Sequence, residues 1–143
     1  MAEEAAASGP LPVVSFLKIP DGGDPYLEGQ RCGDCGAIFL GERSICSNCG
    51  VRENLKPQKL ADTGVLYVYS IVHRSFPGIE VPFVSAVVDL DGGGTVKGNL
   101  INVEPTPEKV RMGMPVEVVY RIAPTKDRDG NEYLSYYFQP REK

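Results

Sequence analysis

Cys32-Gly33-Asp34-Cys35-Gly36 and Cys46-Ser47-Asn48-Cys49-Gly50 are two copies of one pattern, and they hold all four cysteines of the 143-residue chain. Two residues between the cysteines of a pair let both sulfurs turn toward one point. Two such pairs supply the four thiolates that a tetrahedral metal ion takes. A glycine follows each pair, where the backbone must curl through positive φ. The segment from Gly36 to Ile45 is long enough for a hairpin that returns the second pair to face the first. The pattern reads as a compact zinc ribbon with Cys32, Cys35, Cys46 and Cys49 as ligands and one structural zinc per chain. With every position filled by protein, such an ion shapes the fold and does no chemistry. Disulfides would need an oxidising compartment, and the acidic, alanine-rich start of the chain lacks the basic and apolar stretches of a secretory leader. A redox Cys-x-x-Cys site is a second alternative. Iron in rubredoxin-like knuckles is a third, against which a closed four-cysteine site favours zinc.

Downstream of the cysteines the pattern becomes that of strands. Val65 to His73 is rich in β-branched and aromatic residues and ends before Pro77-Gly78. Phe83 to Leu90 follows, then a glycine-rich hairpin connection at Asp91 to Gly94, then Thr95 to Val103. Thr106-Pro107 opens one or two helical turns, with Thr106 as N-cap. Val116 to Ile122 and Tyr133 to Phe138 complete five strands, separated by a turn at Asp129-Gly130. Five strands with one short helical connection after the third match an OB-fold barrel, with an SH3-like barrel as the alternative. The expected fold class is mainly β, a rubredoxin-like zinc ribbon followed by a five-stranded OB-fold barrel.

Upstream, Pro10, Pro12 and Pro20 disfavour a helix. The expected organisation is a flexible arm over 1–15, an N-terminal segment and ribbon over 16–60, and the barrel over 61–140. The formal net charge is −4, and neither side of Asp62 is basic: 6 basic and 8 acidic residues precede it, and 9 and 11 follow from it. Phosphate neutralisation drives nucleic-acid affinity, so this balance argues against such a partner. Tyr67, Tyr69, Tyr133, Tyr136 and Tyr137 would offer stacking surfaces, but the basic groove that goes with them is missing. No apolar run has membrane-spanning length.

Little in the chain suits catalysis. With the cysteines committed to metal, no thiol nucleophile is left. His73, the one histidine, has no acid or nucleophile nearby in sequence, and Ser70 and Ser75 lack a strained-turn signature. Gly92 to Gly94 lacks the Lys-Ser/Thr of a phosphate loop, and Asp89 and Asp91 read as solvated turn carboxylates. Three classes remain: a nucleic-acid module, an iron electron carrier, and an accessory subunit of a larger enzyme.

The order of knuckles, Gly64-Val65-Leu66-Tyr67-Val68-Tyr69-Ser70, Pro82 to Leu90, Val110 to Val118 with its Met112-Gly113-Met114 turn, and Tyr137-Phe138-Gln139-Pro140 resembles the zinc-ribbon/OB-fold proteins associated with acyl-CoA enzymes. The resemblance spans about Phe16 to Pro140. It implies a cytoplasmic, non-catalytic subunit that forms a hetero-oligomer with a thiolase-like catalytic subunit and docks near its coenzyme A site. The catalytic cysteine and histidines then belong to that partner. By general appearance the chain also resembles the small subunits of benzoylsuccinyl-CoA thiolases, which implies a place in anaerobic toluene breakdown. On this reading Arg43, Arg74 and Lys97 are candidates for the coenzyme A phosphates, and Phe16 and Phe76 for the partner interface. A coenzyme A thioester would be shared with the partner. Many relatives carry a longer helical N-terminus, which the prolines here disfavour.

Overall fold

The computed structural model describes residues 9–141. Its first half is built around Tyr26–Cys32 (β3), preceded by the two-residue strands Leu11–Pro12 (β1) and Leu17–Lys18 (β2) and followed by Ile38–Leu40 (β4) and Leu55–Lys59 (β5). One edge of β3 pairs antiparallel with β5, from Glu28 opposite Lys59 to Cys32 opposite Leu55. The other edge pairs first with β2, Leu17 opposite Leu27, and then with β4, Arg31 opposite Ile38. The hairpin is therefore β3–β4, with the first knuckle as its turn. The second knuckle follows β4 instead of terminating a hairpin of its own. A side chain at Gly29 would overlap the Phe39 carbonyl oxygen, so only glycine lets β4 approach here. Among the described residues the outer strand β5 pairs only with β3, and it carries Pro57, which lacks an N–H.

The second half holds Thr63–Val72 (β6), Phe83–Leu90 (β7), Thr95–Leu100 (β8), Pro115–Ile122 (β9) and Tyr133–Pro140 (β10). β6, β7 and β8 form an antiparallel meander. β9 pairs with both β6 and β10, and β10 meets β8 in parallel where Phe138 stands opposite Leu100. The order β6-β7-β8-β10-β9 returns to β6 and closes the barrel. Placing the last strand between the third and fourth is the Greek-key device of the OB-fold, and the SH3-like alternative falls away. Strand β7 shows why the sheet forms: Val84, Ala86, Val88 and Leu90 are buried while their neighbours are half-buried, the period of a strand with one face in a core. A bulge between Leu66 and Val68 shifts the alternation by one, so that Tyr67 and Val68 are both exposed and Tyr69 and Ile71 pack against the core.

The barrel interior, including Leu66, Val84, Val88, Val96, Val116 and Phe138, is continuous with Leu17, Leu27 and Leu60 from the ribbon side. Ribbon and barrel thus share one apolar core. The glycine hairpin after β7 sits at the junction. Gly93 has φ +129, and a Cβ there would stand 2.6 Å from Cδ1 of Ile38.

Three expectations need adjustment or placing. The segment opened by Thr106 makes a single turn, in which the Val110 N–H donates to the Thr106 carbonyl at 3.0 Å, and no helix is assigned among the described residues. The turn stops because Gly113 takes φ +88 and its N–H bonds to the Leu66 carbonyl, drawing the chain back to β6. His73 lies one residue past β6 and is exposed, since the strand ends at Val72. Of the expected arm, residues 1–8 lie outside the described residues; within the rest, β1 runs parallel to β10, and the Leu11 N–H donates to the Glu132 carbonyl at 3.0 Å. Among the described residues no helix is long and apolar enough to cross a membrane.

Candidate metal centre and docking surface

The two knuckles repeat one set of backbone bonds. Gly36 N–H donates to the Cys32 carbonyl and Gly50 N–H to the Cys46 carbonyl, both at 2.8 Å. Cys32 N–H reaches the Ala37 carbonyl at 2.8 Å, and Cys46 N–H the Val51 carbonyl at 2.9 Å. Gly36 and Gly50 take φ +83 and +84, the left-handed conformation that closes each loop. The first cysteine of each pair is buried and the second exposed.

All four Sγ atoms lie within 4.8 Å of one another. Across the knuckles, Cys32 Sγ stands 3.7 Å from Cys49 Sγ and Cys35 Sγ 3.6 Å from Cys46 Sγ. Four sulfurs about 2.3 Å from one central ion would be about 3.8 Å apart, so the donor set fits a tetrahedral thiophilic dication. The sulfurs are also electrostatically prepared. The Asn48 side-chain amide, 3.3 Å from Cys35 Sγ, is the main influence holding that thiol at about 6, helped by the Ala37 backbone. Cys49 accepts a bond from the Val51 backbone that favours its thiolate. Desolvation and the three neighbouring sulfurs outweigh that bond and push it up to about 12. Four adjacent thiolates repel one another until a cation joins them.

The other candidate residues do not converge. The Arg43 guanidinium stacks over the Phe39 ring at 4.5 Å, and the Arg43 backbone N–H donates to Gln30 Oε1 at 2.9 Å. Arg74 is on the β6–β7 connection and Lys97 in the middle of β8, where the Lys97 carbonyl accepts the Tyr136 hydroxyl. Phe16 is half-buried against Tyr136, with 5.7 Å between ring centroids. Phe76 is 82% exposed, on a connection that also exposes Ile79 and Val81. Beside that connection lies an open cleft of about 470 Å³ lined by Pro82, Phe83, Leu100, Ile101 and Val103, among others. Asp89 and Asp91 accept the hydroxyls of Thr95 and Thr63 at 2.9 and 2.6 Å and brace the hairpin. Among the stacking candidates, Tyr133 donates to Asp127 at 2.9 Å and Tyr136 packs on Phe16 and Phe138. Sequence reasoning missed Asn48. The only available signal was an amide inside a Cys-x-x-Cys pair.

Residues 21–54 match the family model described as the ChsH2 rubredoxin-like zinc ribbon domain, and residues 57–121 the one described as the ChsH2 C-terminal OB-fold domain. A DUF35 domain-containing scaffold protein of Methanocaldococcus jannaschii is 34% identical over 118 residues, covering 81% of this chain and 82% of that protein. The chain belongs to the DUF35 family of zinc-ribbon/OB-fold proteins. A second relative, the benzoylsuccinyl-CoA thiolase subunit BbsA of Thauera aromatica, is 30% identical over 126 residues, or 87% of this chain and 83% of that protein. The solved structure described as an Ltp2-ChsH2(DUF35) aldolase superposes with a TM-score of 0.63 at 28% identity, covering 80% of this chain and 84% of that one.

Proposed function

We propose that this DUF35 protein is a non-catalytic, zinc-containing accessory subunit of a thiolase-type acyl-CoA C-acyltransferase complex. The observation that carries the reading is the gathering of all four cysteines of the chain at one point. One bound zinc would consume them as structural ligands and leave the acyl-transfer chemistry to a partner. Relatives named as scaffold proteins and as thiolase subunits support it. The narrower assignment, thiolysis of benzoylsuccinyl-CoA in anaerobic toluene breakdown, draws its support from the BbsA relatives.

In this reading residues 16–60 and 61–140 both face the catalytic subunit near its coenzyme A site. Phe76 is the apolar anchor, because a large, nearly fully exposed ring on a connection with two further exposed apolar side chains is what interface cores are made from. Phe16 adds only the part of its ring that Tyr136 leaves open. Arg43, Arg74 and Lys97 contact coenzyme A phosphates individually, since they lie on separate elements.

Purification of the native protein tests the proposal: a thiolase-like subunit should co-purify, and Phe76→Asp should abolish the association while leaving the thermal midpoint of the free chain unchanged. Turnover of an acyl thioester by the isolated, zinc-loaded chain would overturn it.

A further inference from the structure

Asn48 donates to two sulfurs of different knuckles. Its backbone N–H is 3.4 Å from Cys46 Sγ, within its own knuckle, and its side-chain amide is 3.3 Å from Cys35 Sγ, across the site. The corresponding position of the first knuckle is Asp34. A carboxylate turned toward the sulfurs would add a fifth negative charge to the cluster. It is instead held by Asn54, whose amide donates to Asp34 Oδ1 at 2.8 Å, with Asn54 itself at φ +73. The two knuckles are therefore alike in backbone but opposite in side-chain polarity: the amide points in, and the acid is tied away.

Cys35 is also the exposed cysteine of its pair. An exposed thiolate is the ligand that water, chelators and electrophiles reach first. A hydrogen bond to its sulfur stabilises the anionic form and lowers its nucleophilicity.

We infer that Asn48 is a positioning residue that clamps the two knuckles together and shields the exposed Cys35 thiolate, so that it governs how fast the site gives up its metal. The inference rests on the metal reading above, and its test separates the two. The full chain is first loaded with zinc, and wild type should hold about one ion per chain. Release to a chromogenic chelator is then timed for wild type, Asn48→Asp and Asn48→Ala. Asn48→Asp has nearly the same shape, so a mere packing role would survive it, and both variants keep the backbone bond to Cys46.

The expected result is release about tenfold faster in both variants, the lower end of the usual effect of losing a partner to a metal ligand. In the cobalt(II)-loaded protein the sulfur-to-metal charge-transfer band should move to longer wavelength, because a thiolate without its amide donor gives up charge more readily. Alkylation of the zinc-loaded variants should fall first on Cys35. If Asn48→Asp takes up no metal, Asn48→Ala, which adds no charge, decides the matter by itself. Wild-type release rates and an unmoved band in Asn48→Ala would overturn the inference while leaving the metal reading intact. A wild-type chain that takes up no zinc would overturn both.

Discussion

The rings of Phe16 and Tyr136 meet with their planes tilted by 58°, and Tyr136 in turn stands edge-on to Phe138 at 6.0 Å. Three aromatic rings thus run from the segment before the ribbon into the barrel interior, where Phe138 is fully buried. Gly98 makes room for them, since a Cβ there would stand 2.8 Å from the Phe138 ring.

Phe16→Ala should therefore weaken the junction, costing about 2 kcal/mol in urea unfolding, below a fully buried phenylalanine because the ring is half-buried. In a double-mutant cycle with Tyr136→Ala, about 1 kcal/mol should be shared between the two sites. Strict additivity would show that the ring pair contributes nothing of its own.

Gly93→Ala and Gly92→Ala both place a methyl group on a backbone of positive φ, +129 and +84, but only the first meets a neighbour, Ile38. Gly92→Ala should cost about 1 kcal/mol from backbone strain alone. Gly93→Ala should cost about 2 kcal/mol more, because Ile38 must move off the hairpin. Thermal midpoints of the pair measure how tightly the ribbon seats on the barrel, and equal losses would mean that Ile38 yields freely.

Asp127 organises the β9–β10 connection. Its carboxylate accepts bonds from Asn131 through both side chain and backbone, from the Tyr133 hydroxyl and from the Asp129 N–H. These donors, the Asn131 amide foremost, hold it below the ordinary carboxylate value. A depressed folded-state value means stability that is present above the unfolded value of about 3.9 and lost as pH falls through the folded one. Wild type should therefore exceed Asp127→Asn in urea midpoint at neutral pH, with the gap closing below about pH 4. A gap that widened on acidification would reverse the assignment.

Cys46→Ala removes a buried member of the four-sulfur cluster, one that also accepts the N–H groups of Asn48 and Cys49. Metal content should fall to near zero, and the ribbon should lose its order, because binding energy at such sites is folding energy. Amide exchange should quicken first in β3 and β5 and to a lesser degree in β7, since Leu17, Leu27 and Leu60 belong to the barrel's own core. Protection unchanged in β3 would show that the ribbon stands without its metal.

The cysteine pairs were legible because ligand spacing is short-range chemistry. Strand β7 was legible to the residue because one face alternates into the core. Strands β1, β2 and β5 were not: two residues carry no period, and Leu55–Lys59 is polar with a proline inside. The placement of Phe16 could not be read either, because Tyr136 lies 120 residues away along the chain. Asn48 escaped for a similar reason, since its amide reaches a sulfur of the opposite knuckle, a contact that exists only once both loops have closed.

Pro57 bears on behaviour at high concentration. A strand bordered on one side only is a template on which a second molecule's backbone can lie, and repeated laying-on grows a fibre. By withholding one donor midway along β5, and with Lys56 and Lys59 placing like charges on any approaching copy, this edge disfavours strand-to-strand growth between copies of the protein.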